Sequence, residues 1–147
     1  MCSFIEAAQF DRLGTFSYSD EDTSKSFALD AKVDARTIQN RKRRLMAIQR
    51  KISRARNRLL IGHEADVLVE GPSADSELVW QARLSTQAPD IDGVCYIADP
   101  GEAPLRAGEF RRMRITKAHD YDLTGELVGR AGLEAGPTAS PAFVMIR

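Results

Sequence analysis

A chain of 147 residues, 43% of them hydrophobic, suffices for one compact domain with appendages, and it contains no run of the roughly 18 apolar residues that a membrane span needs. The start of the chain lacks a basic stretch followed by an apolar one, so no secretory signal is recognised and we expect a cytoplasmic protein without membrane contact. The net charge is zero, and the only two cysteines, Cys2 and Cys95, can form neither a disulfide framework nor an iron–sulfur site within the chain.

The first part of the chain contains weak structural signals. Residues 4–10 are a short amphipathic stretch, and residues 13–18 alternate enough in hydrophobicity to predict a strand. An acidic, serine-rich loop is predicted at 19–26.

A long helix is predicted from Asp34 to about Leu60. Asp34 is a suitable N-cap, and apolar residues including Ile48 and Ile52 recur on one stripe at helical spacing. Gly62 then supplies a stop, after which the hydrophobic pattern alternates. This change of pattern is the clearest domain boundary, with a linker helix at 34–61 and a second domain at 62–130.

The predicted helix is strongly basic, with ten basic and no acidic residues at positions 36–58. Such a surface can neutralise phosphates, so direct contact with RNA is one hypothesis. The alternative is a solvated linker face, with the helix packing one stripe onto neighbouring domains. The residues expected to contact a partner are Arg43, Arg44, Arg50 and Arg54.

Five strands are predicted after the helix. Five short strands in about seventy residues favour a small closed barrel, which has no exposed edges. The last part of the chain, residues 131–147, is predicted to be a flexible tail. The strands are expected at Glu64 to Glu70, Leu78 to Leu84, Val94 to Ala98, Glu109 to Ala118 and Tyr121 to Val128.

Arginines on two of these strands are candidate partner-binding residues. Alternation along 109–118 predicts that Arg112 and Arg114 point outward, where they form a recognition patch with Arg83 or an ordinary soluble surface. Arg111 breaks the alternation and is expected at the barrel mouth, where it reaches solvent or weakens the barrel. Trp80 either stacks on a partner or, as its apolar neighbours favour, packs in the core.

Two further groups resemble chemical sites. Asp90 and Asp92 could act as paired acids, but a capped turn before Gly93 fits this loop better. His63 and His119, taken with the two cysteines, match no common zinc-binding spacing, so no metal site is predicted.

Five segments together resemble the end of a known enzyme family. They are FDRLGTFSYS at 10–19, RRLMAIQRKISRARNRLLIG at 43–62, APDIDGVCYI at 88–97, and GEF at 108–110 followed by YDLTGE at 121–126. In this order they are similar to the C-terminal part of RimO-type radical-SAM methylthiotransferases, which modify an aspartate of a small-subunit ribosomal protein. The resemblance implies a mainly β fold, namely a five-stranded antiparallel OB-like TRAM barrel after the helix. Residues 1–33 would be a remnant of the radical-SAM domain, disordered or packed in an improvised way.

The resemblance also implies what this chain does. The family uses two four-iron four-sulfur clusters and S-adenosylmethionine, held by cysteine sets that this chain lacks, so it is expected to be inactive alone. The main hypothesis is the substrate-recognition module of such an enzyme, with a ribosomal protein as partner and a separate radical-SAM chain as a further one. The alternatives are a free-standing RNA-binding TRAM module, part of a transfer-RNA methylthiotransferase, and a nonfunctional fragment with a foldable barrel.

Overall fold

The computed structural model describes residues 1–73, 76–99 and 104–130, so the tail predicted at 131–147 lies outside the described residues. The elements in chain order are helix α1 (Cys2–Ala8), a 3-10 turn (Lys25–Ala28), helix α2 (Ala35–Leu59) and strands β1 (Glu64–Ser73), β2 (Ser76–Leu84), β3 (Cys95–Asp99), β4 (Phe110–Ala118) and β5 (Leu123–Arg130).

Helix α2 confirms the predicted basic helix at both ends. The Asp34 carboxylate accepts a hydrogen bond from the Thr37 backbone N–H at 2.9 Å. Hydrogen bonding to Thr37, by its side chain first and its backbone N–H second, lowers the pKa of Asp34. At the other end, Gly62 adopts a φ of +85°, which favours glycine, and its N–H donates to the Ile115 carbonyl at 2.8 Å. The helix therefore runs directly into the barrel.

Helix α1 packs against α2 through Ile5, which is only 2% exposed. The buried Gln49 of α2 donates from its amide to the Phe10 carbonyl at 2.8 Å, which holds the chain after α1. The first residues were expected to be either disordered or packed in an improvised way, and the structure shows α1 packed against α2. The strand predicted at 13–18 is wrong, since this segment pairs with no strand among the described residues and Phe16 is 94% exposed.

The five strands form a closed barrel in the order β1-β2-β3-β5-β4, which confirms the predicted barrel. One detail differs from the prediction, because β3 and β5 pair in parallel, from Cys95 opposite Leu123 onward, whereas the other four pairs are antiparallel. A ring with an odd number of strands cannot alternate in direction all the way round, so at least one neighbouring pair must be parallel.

The barrel interior is a small apolar core. Trp80 is half-buried and packs against it, which confirms the core interpretation of that residue. Arg111 is only 4% exposed, so it continues the inward alternation of β4 instead of breaking it. Its guanidinium is paired with Glu109 at 3.2 Å, and the expectation that it reaches solvent is wrong. The buried apolar residues are Val67, Val69, Ala82, Cys95, Ile97, Met113, Ile115 and Leu123.

Candidate partner-binding surfaces

The outer surface of β1, β4 and β5 carries the first candidate surface, which we call the β4 face. The strand register places Glu64 beside Arg114 and Asp66 beside Arg112, and Glu126 of β5 lies on the other side of Arg114. These five side chains together carry one more negative than positive charge.

Ion pairs connect all five side chains of this cluster. Arg112 contacts Asp66 at 3.1 Å, and the hydrogen bond between them raises the pKa of Arg112. Arg114 lies 2.8 Å from Glu64 and 3.5 Å from Glu126. The two arginines predicted to form a basic patch are thus outward, as expected, but neutralised by carboxylates of neighbouring strands.

Two more residues lie in the next row of the β4 face. Leu68 of β1 is opposite Phe110 of β4 on one side and Arg83 of β2 on the other. Phe110 is 63% exposed, and Arg83 is paired with Glu70 at 2.9 Å. The structure therefore brings Arg83, Arg112 and Arg114 onto neighbouring rows of one surface, while Trp80 packs on the core instead.

Two of the predicted helix arginines hold the helix to the barrel. Arg54 and Arg50 lie 3.0 and 3.8 Å from Asp120, in the turn between β4 and β5. Asn57 donates to the carbonyl of His119 in the same turn at 3.3 Å. Their positions explain why α2 has a fixed direction relative to the barrel.

The other two predicted arginines have different surroundings. Arg43 is exposed and donates to Asn40 within its own helix. Arg44 lines a groove of about 680 Å³ between α1 and α2, together with Glu6 and Lys51. Neither has a carboxylate within ion-pair distance among residues 1–73, 76–99 and 104–130.

The loop at 88–93 is a capped turn, which confirms that interpretation. The Asp92 carboxylate accepts a hydrogen bond from the Ala88 N–H at 2.8 Å and is paired with Arg12 at 3.2 Å. Asp90 has a φ of +60°, a conformation that aspartate tolerates better than most residues. Arg12 also donates to the Thr86 carbonyl at 3.1 Å, which fastens the N-terminal segment to this loop.

A buried glutamine next to this loop was not singled out from the sequence. Gln87 is 3% exposed, and its side-chain oxygen accepts from the Leu84 N–H at 2.7 Å while its amide donates to the Gly93 carbonyl. The Cys95 thiol lies 3.3 Å from the same oxygen. Its place just before the turn is the one indication in the sequence, and this is too weak to predict burial, because glutamine is usually exposed.

Neither of the two cysteines belongs to a metal site in the described part of the chain, where no cluster of three metal-ligating side chains is found. Burial in the barrel raises the pKa of Cys95 to about 12. A thiol with a raised pKa stays protonated near neutral pH and is a poor nucleophile.

We therefore expect iodoacetamide at pH 8 to alkylate Cys2 and to leave Cys95 unmodified in the folded chain. A pH of 8 is well below the pKa of Cys95, so its thiol stays protonated, and its burial also keeps the reagent out. Peptide mass spectrometry after a timed reaction measures this, with the urea-unfolded chain as control, in which both cysteines react. Equal rates at Cys95 in the folded and unfolded chain would contradict the assignment.

Among residues 1–73, 76–99 and 104–130, the longest helix is the basic α2, and none is long and apolar enough to cross a membrane.

Comparison with known proteins identifies what the chain is similar to. Residues 61–128 match the model of the TRAM domain. The chain is 62% identical, over 99% of its length, to the ribosomal protein uS12 methylthiotransferase RimO of Solibacter usitatus, and it covers 31% of that protein. It is 48% identical over 87% of its length to the protein of the same name from Koribacter versatilis, and 47% over 97% to that from Sorangium cellulosum. The chain thus spans less than a third of each of these relatives.

Proposed function

Because the chain is similar to the RimO methylthiotransferases and contains a TRAM domain, we propose that it is the substrate-recognition portion of such an enzyme. The relatives are named for their action on ribosomal protein uS12. The partner proposed for this chain is accordingly a small-subunit ribosomal protein, which docks on the β4 face.

The observation that carries this proposal is the charge of the β4 face. Three carboxylates, Glu64, Asp66 and Glu126, surround the two arginines, so the cluster is net negative. The exposed ring of Phe110 lies at the end of the same strand and supplies apolar contact area. A net negative face with an apolar anchor suits a basic protein better than it suits RNA, because complementary charge favours encounter and correct orientation.

The arginines of the β4 face also contribute to docking. Arg112 and Arg114 hold the carboxylates in fixed positions and, together with Arg83, present donors for backbone or side-chain oxygens of the partner. Arg43, Arg44, Arg50 and Arg54 belong to a different part of the chain and are not part of the docking face.

The chemistry of the family does not fit the residues of this chain. A four-iron four-sulfur cluster needs several cysteine thiolates, whereas the sequence has two cysteines, and Cys95 lies in the barrel core beside Gln87. We propose that this chain supplies recognition and that a radical-SAM domain, which binds the clusters and S-adenosylmethionine, supplies the reaction.

Neutralising the carboxylates tests the docking face. The double variant Glu64→Gln with Asp66→Asn is expected to weaken binding of purified ribosomal protein uS12 about ten-fold at low salt, since it changes the sign of the cluster. Isothermal titration calorimetry measures the affinity. The fold should survive, because exposed ion pairs contribute only about 0.2–1 kcal/mol each.

The matched control is Glu21→Gln with Asp22→Asn, which removes the same charge from an exposed loop far along the chain from the barrel. We expect it to leave the affinity within about two-fold, because weakly placed exposed charges contribute little. If both double variants weaken binding equally, or neither does, the β4 face is not the docking surface.

A further inference from the structure

The second charged surface of the molecule is a stripe along α2. Successive helical residues are rotated by about 100°, so Arg36, Arg43, Arg44, Lys51 and Arg58 fall within an arc of about 100° on one side of the helix. All five side chains are exposed. We call this set the basic stripe; it extends over roughly 33 Å of the helix axis.

The opposite side of α2 is already occupied. Gln49 and Ile52 are buried there, at 1% and 6% exposure, and α1 packs onto α2 through Ile5. A basic helix that lies on a membrane uses its apolar side to enter the lipid. Since that side of α2 is covered by α1, the helix offers only its charges to a partner, and a membrane surface does not fit.

The charges of the basic stripe are uncompensated within the described residues. Arg54 falls within the same arc but is paired with Asp120, so we do not count it in the stripe. Outside the arc, Asp120 also compensates Arg50, and Asp11 compensates Arg56. Among the side chains that the structure describes, no carboxylate lies within ion-pair distance of the five stripe residues. The negative charge of the chain is concentrated instead on the barrel and in the first 35 residues.

We propose that the basic stripe binds the phosphate backbone of RNA. Four of its five residues are arginines, whose planar guanidinium can hold phosphate oxygens through two hydrogen bonds. Five cations in a row of roughly 33 Å match a regularly spaced polyanion, and contacts of this kind require no base recognition. The choice of RNA among polyanions rests on the proposed function, because the nucleic acid that accompanies a small-subunit ribosomal protein is RNA.

Fluorescence anisotropy of the 147-residue chain with a labelled 16-base-pair RNA duplex tests the proposal. Neutralising five phosphate contacts gives a slope of log K against log salt of about −4, so affinity should fall roughly 10²- to 10³-fold between 50 and 200 mM salt. The variant Arg36→Gln, Arg43→Gln, Arg58→Gln is expected to bind at least about ten-fold more weakly at 50 mM salt and to reduce the slope by about 2 to 3. Glutamine retains a good helix propensity, and circular dichroism checks that α2 is intact.

The matched control is Lys25→Gln, Arg106→Gln, Lys117→Gln, which removes three exposed positive charges elsewhere and gives the same net charge. It should retain affinity within about three-fold and keep the slope. An equal loss in both triple variants, absence of RNA binding at 50 mM salt, or equally tight and equally stripe-dependent binding to vesicles of anionic phospholipid would each overturn the proposal.

The two surfaces can fail separately. The Glu64→Gln, Asp66→Asn variant should bind RNA at least as well as the unmodified chain, because it removes negative charge that repels phosphate and leaves the basic stripe unchanged. If that variant loses uS12 binding and retains RNA binding, the result supports two distinct surfaces. If the carboxylate variant or the arginine variant loses both uS12 binding and RNA binding, the result contradicts the assignment of the stripe.

Discussion

Replacing Gly93 with alanine is expected to destabilise the chain by about 3 kcal/mol or more, a large part of the stability of a small domain. A methyl group at this position would lie 2.2 Å from the Tyr121 carbonyl oxygen and 2.8 Å from the Asp122 carboxylate. Both neighbours are fixed, because Asp122 accepts from the Val94 N–H at 3.0 Å and Tyr121 leads into β5. The clash therefore separates the entry of β3 from the start of β5, the parallel pair that closes the barrel.

Urea unfolding followed by circular dichroism measures this loss. The matched control is Gly14→Ala, where the added methyl group would meet only the Phe16 ring edge, at 3.8 Å, in an exposed segment. We expect that control to lie within about 0.5 kcal/mol of the unmodified chain. A Gly93→Ala chain with an unchanged unfolding midpoint would show that the loop can move away from β5.

Gln87→Ala is expected to destabilise the chain by about 2–4 kcal/mol. The amide of Gln87 satisfies the Leu84 N–H and the Gly93 carbonyl, so its removal leaves two backbone groups without their partner near the core. It also leaves a cavity beside Cys95. The loop between β2 and β3 would then be held mainly by Asp92, which accepts from the Ala88 N–H.

The control for this variant is Gln39→Ala, at an exposed position of α2. Alanine is the better helix former, so a change of at most a few tenths of a kcal/mol is expected there. Thermal unfolding at fixed pH compares the two variants, and increased alkylation of Cys95 at pH 8 reports the opened core. If Gln87→Ala unfolds at the temperature of the Gln39→Ala chain, water replaces the lost hydrogen bonds without penalty.

Local signals predicted most of the fold. Asp34 and Gly62 mark the ends of α2 because capping depends on neighbouring backbone groups, and both are found in their predicted roles. Alternation along β4 is also a local signal, and it correctly predicted that Met113 and Ile115 lie inside the barrel. The prediction of a strand at 13–18 was wrong because an alternating pattern does not show whether a partner strand is present, and no described strand pairs with this segment.

The candidate surfaces were less predictable, since they depend on contacts between distant residues. The outward direction of Arg112 follows from alternation, but its pairing with Asp66 depends on the register of β1 against β4, which the sequence does not specify. Gly93 owes its importance to Tyr121 and Asp122, which only the closed barrel brings near it. The partners of Gln87, Leu84 and Gly93, are close in sequence, but the loop conformation that brings them to its side chain is not specified by the pattern. Arg111 was misplaced because its charge suggested solvent, whereas Glu109 compensates it inside.

The junction between α2 and the barrel has a mechanical consequence. Two backbone hydrogen bonds join the chain after the helix to β4, Gly62 N–H to the Ile115 carbonyl at 2.8 Å and Ile115 N–H to the His63 carbonyl at 2.9 Å. Arg54 and Asp120 brace the same corner from the other side at 3.0 Å. These contacts set the direction of α2 relative to the barrel. A partner bound to the basic stripe therefore lies at a defined position relative to the β4 face.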